Sequence, residues 1–285
     1  MTSDKEGDWC LGDWCSPNIL YPDKDITCSD QQTIIPAPMV NTYFLVKSLK
    51  TMCKIARVIG RDSDVYELEK KADYHSRAIQ AAYLHTFDGN FIMNIQGGNS
   101  FAVDIGLGNE NTYPNLVNYY RKLGHLDTGI FATDILLRTL FKNGDAELAV
   151  KLICADGPQG YEHWRSCGAT TFHEYWDSNR SRSHNHPMFG ASVAYFFEYL
   201  LGIKQEGDTA GYTSLIIDPA IVSLINKISG TMETPNGIVS VSYEKDTSAI
   251  SFNIEIPKGT KAVLKYCNNE VILTEGKNTL SFPLI

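Results

Sequence analysis

From about residue 38 to residue 201 apolar residues recur at helical spacing in one segment after another, and beyond Gly207 they alternate with polar ones. A period of 3.6 buries one stripe of a helix and a period of two buries one face of a strand. A chain that changes period once is therefore built from two kinds of layer. Val40, Phe44, Leu45, Leu49, Met52, Ile55, Ala56 and Ile59 form a first stripe that ends at Gly60. Val65, Leu68, Ala72, His75, Ile79, Ala82 and Tyr83 form a second, closed by the turn former Asp88-Gly89. The short Gly-Arg-Asp link between them predicts a helical hairpin. Helices follow at about 100–107, 114–123, 131–142 and 145–153, with a last one at 188–201; Gly124 and Gly202 act as stops. This rhythm predicts stacked hairpins, either closed as an α/α barrel or open as a solenoid, and periodicity does not choose between them.

The strand-like runs are 214–218, 238–243, 249–256, 262–266, 271–273 and 279–282, separated by turn formers such as Pro235-Asn-Gly237 and Pro257-Lys-Gly259. The expected class is mainly α with a C-terminal all-β domain: residues 1–207 helical, residues 208–285 a small antiparallel β-sandwich.

The least regular part of the helical region is the most crowded with chemistry. Gly168-Ala-Thr-Thr-Phe-His-Glu-Tyr-Trp-Asp177 runs through an Arg/Ser-rich connection into Ser183-His-Asn-His-Pro-Met-Phe-Gly190, and four of the seven histidines fall between His163 and His186. A second irregular stretch carries Gly7-Asp-Trp-Cys10 and Gly12-Asp-Trp-Cys-Ser-Pro17, a near repeat; all four tryptophans are expected in these two loop regions. Indoles grouped about carboxylates suit a carbohydrate cleft, where ring faces stack on sugar C–H groups and a carboxylate takes a proton from water or a hydroxyl. In an extended segment Phe172, Glu174 and Trp176 share a face, and so do His184 and His186. Glu174 could equally be a structural partner of Arg165, Arg180 or Arg182. Two histidines at i, i+2 with no third ligand in view do not make a metal site, so neither metal nor cofactor is expected. Hydrogen bonding to ligand hydroxyls is the better role for His186, which Pro187 places at the start of the last helix. Asp13 and Trp14 form the second wall.

The net charge of −8, with Lys and Arg scattered, excludes a phosphate-backbone partner. No apolar run approaches the roughly 20 residues that cross a bilayer, and the first residues lack the basic start and apolar stretch of a signal peptide, so the chain is expected to stay where it is made. The seven cysteines are widely spaced without a CxxC pair, which suggests buried thiols.

Taken together, Gly12-Asp-Trp14, His125-Leu-Asp-Thr-Gly-Ile-Phe131, Gly168-Ala-Thr-Thr171 with Glu174 and Trp176, and Ser183-His-Asn-His186 with Gly190 resemble glycoside hydrolase family 78, the bacterial α-L-rhamnosidases. The motifs stand in the family's order over most of residues 7–203. The resemblance implies an (α/α)6 barrel, here in part, with a β-sandwich cap, and inverting hydrolysis of terminal α-L-rhamnosides. It makes Glu174 the general base, His186 and Trp14 sugar contacts, and Trp176 and Asp13 pocket-shaping residues. The family's general acid lies in an Asp/Arg-rich motif upstream of the Gly-Asp-Trp loop, and nothing like it precedes Gly7. The chain is thus expected to be the carboxy-terminal portion of a longer enzyme, silent alone, with an incomplete barrel able to self-associate. The partner implied is an L-rhamnose-containing glycoside; aglycone and compartment are not implied.

Overall fold

A computed structural model describes residues 12–17, 35–179 and 181–284; the Gly7–Cys10 half of the near repeat, Cys28 and Arg180 lie outside them. The chain divides into two compact units: 1–143 with 151–190, and 144–150 with 191–285.

In the first unit α1 (Ala37–Val58) and α2 (Asp62–Tyr83) form the expected hairpin. A two-residue ladder of β1 (Leu84–His85) and β2 (Asn90–Phe91) closes the Asp88-Gly89 turn. Then come α3 (Gly98–Asp104), α4 (Thr112–Leu123), α5 (Ile130–Lys142), α6 (Ala146–Ile153), which crosses the boundary between the units, and α7 (Tyr161–Ser166). Gly124 ends α4 in the left-handed conformation, φ 76°, which a residue with a Cβ adopts only under strain. α5 is largely enclosed, with Ile130, Ala132, Ile135, Leu136, Leu137, Leu140 and Phe141 all buried. Met39, Val40, Tyr43 and Val46 of α1 share a core with Ile79, Phe91, Phe101, Ala102, Ala132 and Ile135.

Half of the α1 stripe expected to be buried is not. Phe44, Met52, Ile55 and Ile59 are 40%, 52%, 54% and 62% exposed, so this helix carries an apolar second side that faces away from the core. α7 went unread because six residues are too few to show a period, and it corrects one expectation: Trp164 sits on this helix and not in a loop.

In the second unit a 3₁₀ turn (Met188–Ala191) leads from the first unit into α8 (Ser192–Tyr195) and a π-helical turn (Phe196–Leu200). Two four-stranded sheets follow. β3 (Ile203–Gln205), β4 (Ser214–Ile217), β8 (Lys261–Tyr266) and β9 (Asn269–Leu273) form one in the order β3-β4-β8-β9; β5 (Lys227–Thr234), β6 (Gly237–Lys245), β7 (Ala249–Ile256) and β10 (Gly276–Pro283) form the other as β10-β7-β6-β5. Alternate residues Val239, Val241 and Tyr243 of β6, Ile250, Phe252, Ile254 and Ile256 of β7, and Leu215, Ile217 and Leu264 are buried in one core. All pairs are antiparallel except β4 and β8, whose connection passes through the other sheet and returns in the same direction. Leu201 and Ile203 belong to this core, so the expected division at 207/208 falls inside the second unit. β5 escaped sequence reading because Gly230 interrupts its alternation. A Cβ there would lie 2.5 Å from Leu201 Cδ1, so the strand gives up a side chain to let the helix end lie against it.

Gly202 joins the helical turn to β3 with φ 72°, and a Cβ on it would stand 2.3 Å from backbone atoms of Asp218 and Pro219. Gly202→Ala is expected to destabilise the second unit by more than the roughly 1–3 kcal/mol of the left-handed conformation alone. Gly207→Ala, also at positive φ (50°) but with open space around it, should cost only that conformational part. Urea unfolding of the two variants checks the difference. Among the described residues no helix is long and apolar enough to cross a membrane.

Candidate active site

The first four backbone N–H groups at the start of an α-helix have no partner within it, and α5 has no capping side chain of its own. They are satisfied from more than a hundred residues away. The Asp13 carboxylate accepts from Gly129 N (2.7 Å, Oδ2), Phe131 N (3.1 Å, Oδ1) and Ala132 N (2.9 Å, Oδ1), while Trp14 O accepts from Ile130 N at 2.8 Å. The Asp13-Trp14 segment is thus the N-terminal cap of α5. Asp13 is fully buried, and burial pushes its carboxyl up to about 7 against the lowering effect of the three amides. Gly129 is required by the closeness of this approach: a Cβ on it would lie 2.3 Å from Trp14 O. One residue earlier but one, Asp127 accepts the hydroxyls of Tyr119 and Tyr120, both at 2.6 Å, and the amide of Gln96 at 2.9 Å. The His125-to-Phe131 loop is pinned from both sides.

The second wall is a short ladder. His186 N donates to Phe172 O (2.8 Å) and Glu174 N to Ser183 O (3.0 Å), with Ser181 Oγ accepting from the amides of Glu174 (3.0 Å) and Tyr175 (3.3 Å). Beyond Glu174 the chain bends, and Trp176 turns inward instead of sharing an extended face with Glu174. Its indole is buried, stacks on Trp164 at 4.9 Å and donates to Thr128 O at 2.7 Å. Trp164 in turn donates to Tyr175 O and Trp176 O, both at 3.0 Å, and Tyr161 sets its ring edge-on to Trp164, Phe172 and Trp176. Large aromatic faces in T-shaped and offset contact make this support stiff.

On that support the half-buried Glu174 carries a carboxylate whose Oε1 accepts the Trp14 indole N–H at 3.4 Å, across 160 residues of sequence. Arg165 is paired with Glu162 rather than with Glu174. His184 is exposed and stacks on the buried His173 at 4.2 Å; burial, then the neighbouring His184, push His173 below the usual imidazole value. His186 is half-buried, and its Nδ1 is enclosed with no hydrogen-bond partner among the described residues. Among those residues no three His, Cys, Asp or Glu side chains gather as a metal site.

The structure therefore brings Trp14 to Glu174. Asp13 and Trp176 are buried, Asp13 against the start of α5 and Trp176 between Trp164 and Thr128 O. Ser181 and Tyr161 were missed. A serine in an Arg/Ser-rich connection carries no signal, and Tyr161 belongs to the helix too short to read.

Residues 1–200 match the bacterial α-L-rhamnosidase 6 hairpin glycosidase domain, and residues 202–280 match the bacterial α-L-rhamnosidase C-terminal domain. The chain belongs to the bacterial α-L-rhamnosidase family. Curated relatives are an α-L-rhamnosidase of Formosa agariphila, 27% identical over 94% of this chain and 29% of its own length, and one of Alteromonas sp., 24% identical over 87% and 28%. Solved rhamnosidase structures share the fold: that from Aspergillus terreus (TM-score 0.84, 17% identical, 95% of this chain and 33% of its own) and that from Streptomyces avermitilis complexed with L-rhamnose (0.75, 21%, 96% and 28%). This member of the rhamnosidase family spans about a third or less of the length of these relatives, and both walls of the site fall within the part matched to the glycosidase domain.

Proposed function

We propose that the chain supplies one wall of the active site of an inverting α-L-rhamnosidase, with Glu174 as the general base. The supporting observation is a half-buried carboxylate that meets an indole N–H from the far side of the sequence, on a residue whose backbone amide is held by Ser181 and Ser183 two residues before the buried Trp176. In such a reaction a carboxylate removes a proton from the water that attacks the anomeric carbon, while an acid about 6.5–9.5 Å away protonates the leaving oxygen. Trp14, through its ring face, and His186 contact the sugar; Asp13 and Trp176 shape the pocket. The acid comes from outside these residues, so the chain alone is catalytically silent. The substrate is a terminal α-L-rhamnoside.

Incubation of the isolated chain with an aryl α-L-rhamnoside is expected to give no turnover above buffer, and robust turnover would overturn the reading. When the chain is joined to the amino-terminal portion of a rhamnosidase that carries the acid, Glu174→Gln should lower kcat by on the order of 10²–10⁴.

A second reading, a sugar-binding module that self-associates through an incomplete barrel, is favoured by the exposed apolar side of α1 at Phe44, Met52, Ile55 and Ile59. L-rhamnose binding that survives Glu174→Gln, in a chain that sediments as a dimer and gains no activity from an acid-bearing portion, would select it.

A further inference from the structure

We propose that the Asp13-Trp14 segment is a positioning device for Glu174: the Trp14 indole N–H holds Oε1, leaves Oε2 as the oxygen that takes the proton from water, and is itself aimed by the α5 cap. The inference rests on the reading of Glu174 as the base and adds which oxygen acts and what orients it.

The argument starts from the donor. The Trp14 indole N–H has one hydrogen, and it is directed at Oε1 of Glu174, so the two carboxylate oxygens meet different surroundings and the terminal torsion is biased toward one setting. Among the described residues Oε1 takes the indole N–H at 3.4 Å and Oε2 has no hydrogen bond, so the two oxygens are inequivalent. A free carboxylate can present either oxygen, and the indole removes that degeneracy.

The indole can do this only if Trp14 is rigid. Residues 12–17 form no helix or strand, and a tryptophan on an irregular segment would otherwise sample many orientations. Here its backbone carbonyl is tied to Ile130 N at 2.8 Å, and the preceding carboxylate is tied to three more amides at the same helix start. The segment is thus anchored by four hydrogen bonds to the start of α5, a largely buried helix. The same loop end is held from the other side by Trp176 donating to Thr128 O, so both walls of the site register on residues 128–132. A shift of that helix start would change the Trp14–Glu174 distance directly.

The test needs no turnover. The chain is labelled with ¹⁵N-tryptophan, and the Trp14 indole resonance is assigned by its loss in Trp14→Phe. In Glu174→Gln the Trp14 indole proton is expected to move upfield and exchange faster with solvent, while the Trp176 indole, bonded to Thr128 O, stays in place. Gly129→Ala introduces a Cβ 2.3 Å from Trp14 O and should move the same resonance with Glu174 intact. Asp13→Asn keeps one acceptor oxygen and loses the Gly129 bond, so it should give the same displacement in smaller measure. If Gly129→Ala unfolds, Asp13→Asn decides. An unchanged Trp14 indole in Glu174→Gln, or one insensitive to both Gly129→Ala and Asp13→Asn, overturns the proposal. Because these signals do not depend on catalysis, loss of the base assignment in the turnover experiment would leave the contact itself standing, and the reverse outcome would remove the contact without touching the base.

Discussion

Asp104→Ala is expected to destabilise the helical unit by about 1–3 kcal/mol, the cost of leaving the buried Tyr43 hydroxyl without its acceptor, while Lys47 and Arg138 remain partly exposed. The Asp104 side chain is 1% exposed and gathers Tyr43 OH (2.5 Å), Lys47 Nζ (2.9 Å) and Arg138 Nε (3.2 Å), so that α1, α3 and α5 meet at one carboxylate. Burial alone would raise its pKa, but Arg138, Tyr43 and Lys47 together outweigh burial and hold it at about 2. A depressed carboxylate contributes stability that is complete above its unfolded value near 3.8 and is lost as pH falls through about 2. Arg138 also pairs with Asp134 at 2.7 Å, a partly exposed i,i+4 contact. Asp134→Ala should therefore cost only a few tenths of a kcal/mol. Urea unfolding of both variants at pH 7 checks the ratio; equal losses would mean the buried carboxylate has no special weight.

What the sequence made legible and what it hid follow from distance along the chain. The α1–α2 hairpin, the Gly124 stop and the alternation of β6 and β7 are local: each is decided by residues within a few positions of one another, so spacing and turn chemistry reveal them. The motifs of the site were legible as residue types, because indoles, histidines and a carboxylate crowd two irregular stretches. Their arrangement was not. The cap of α5 comes from Asp13, 116 positions before Gly129, and the contact that fixes Glu174 comes from a residue 160 positions away. No local period encodes either. Asp104 was invisible for the same reason: it is one of 33 acids in the chain, and only the convergence of Tyr43, Lys47 and Arg138 distinguishes it. Trp176 was placed on the wrong face because the extended pairing ends at Glu174, where Ser181 takes over the amides that a continued ladder would need.

Asp13 should give the helical unit the opposite pH dependence to Asp104. An acid whose folded pKa is raised to about 7 from 3.8 holds its proton in the native state where the unfolded chain has already lost it. Its stabilising contribution is therefore complete below about pH 4 and disappears as pH rises through about 7. At roughly 1.4 kcal/mol per unit the full swing is about 4 kcal/mol, of which about 2–3 kcal/mol falls between pH 5 and pH 8. Two effects oppose each other: the amides of Phe131 and Ala132 at Oδ1 and of Gly129 at Oδ2 favour the ionised form, and burial, the larger, favours the protonated one. Asp13→Asn retains the first two bonds, sets an amide N–H₂ against the Gly129 N–H, and cannot ionise. It should be less stable than wild type at pH 5 by about 1–3 kcal/mol for the unsatisfied donor, and the gap should close or reverse by pH 8. Subtracting the variant's urea stability from the wild type's across this range cancels every other titrating group, His173 included. A difference that does not change with pH would mean that the three amides keep Asp13 ionised throughout, making the α5 cap a charged one. The cap would then hold Trp14 against Glu174 as an anion at a helix start, insensitive to pH across that range.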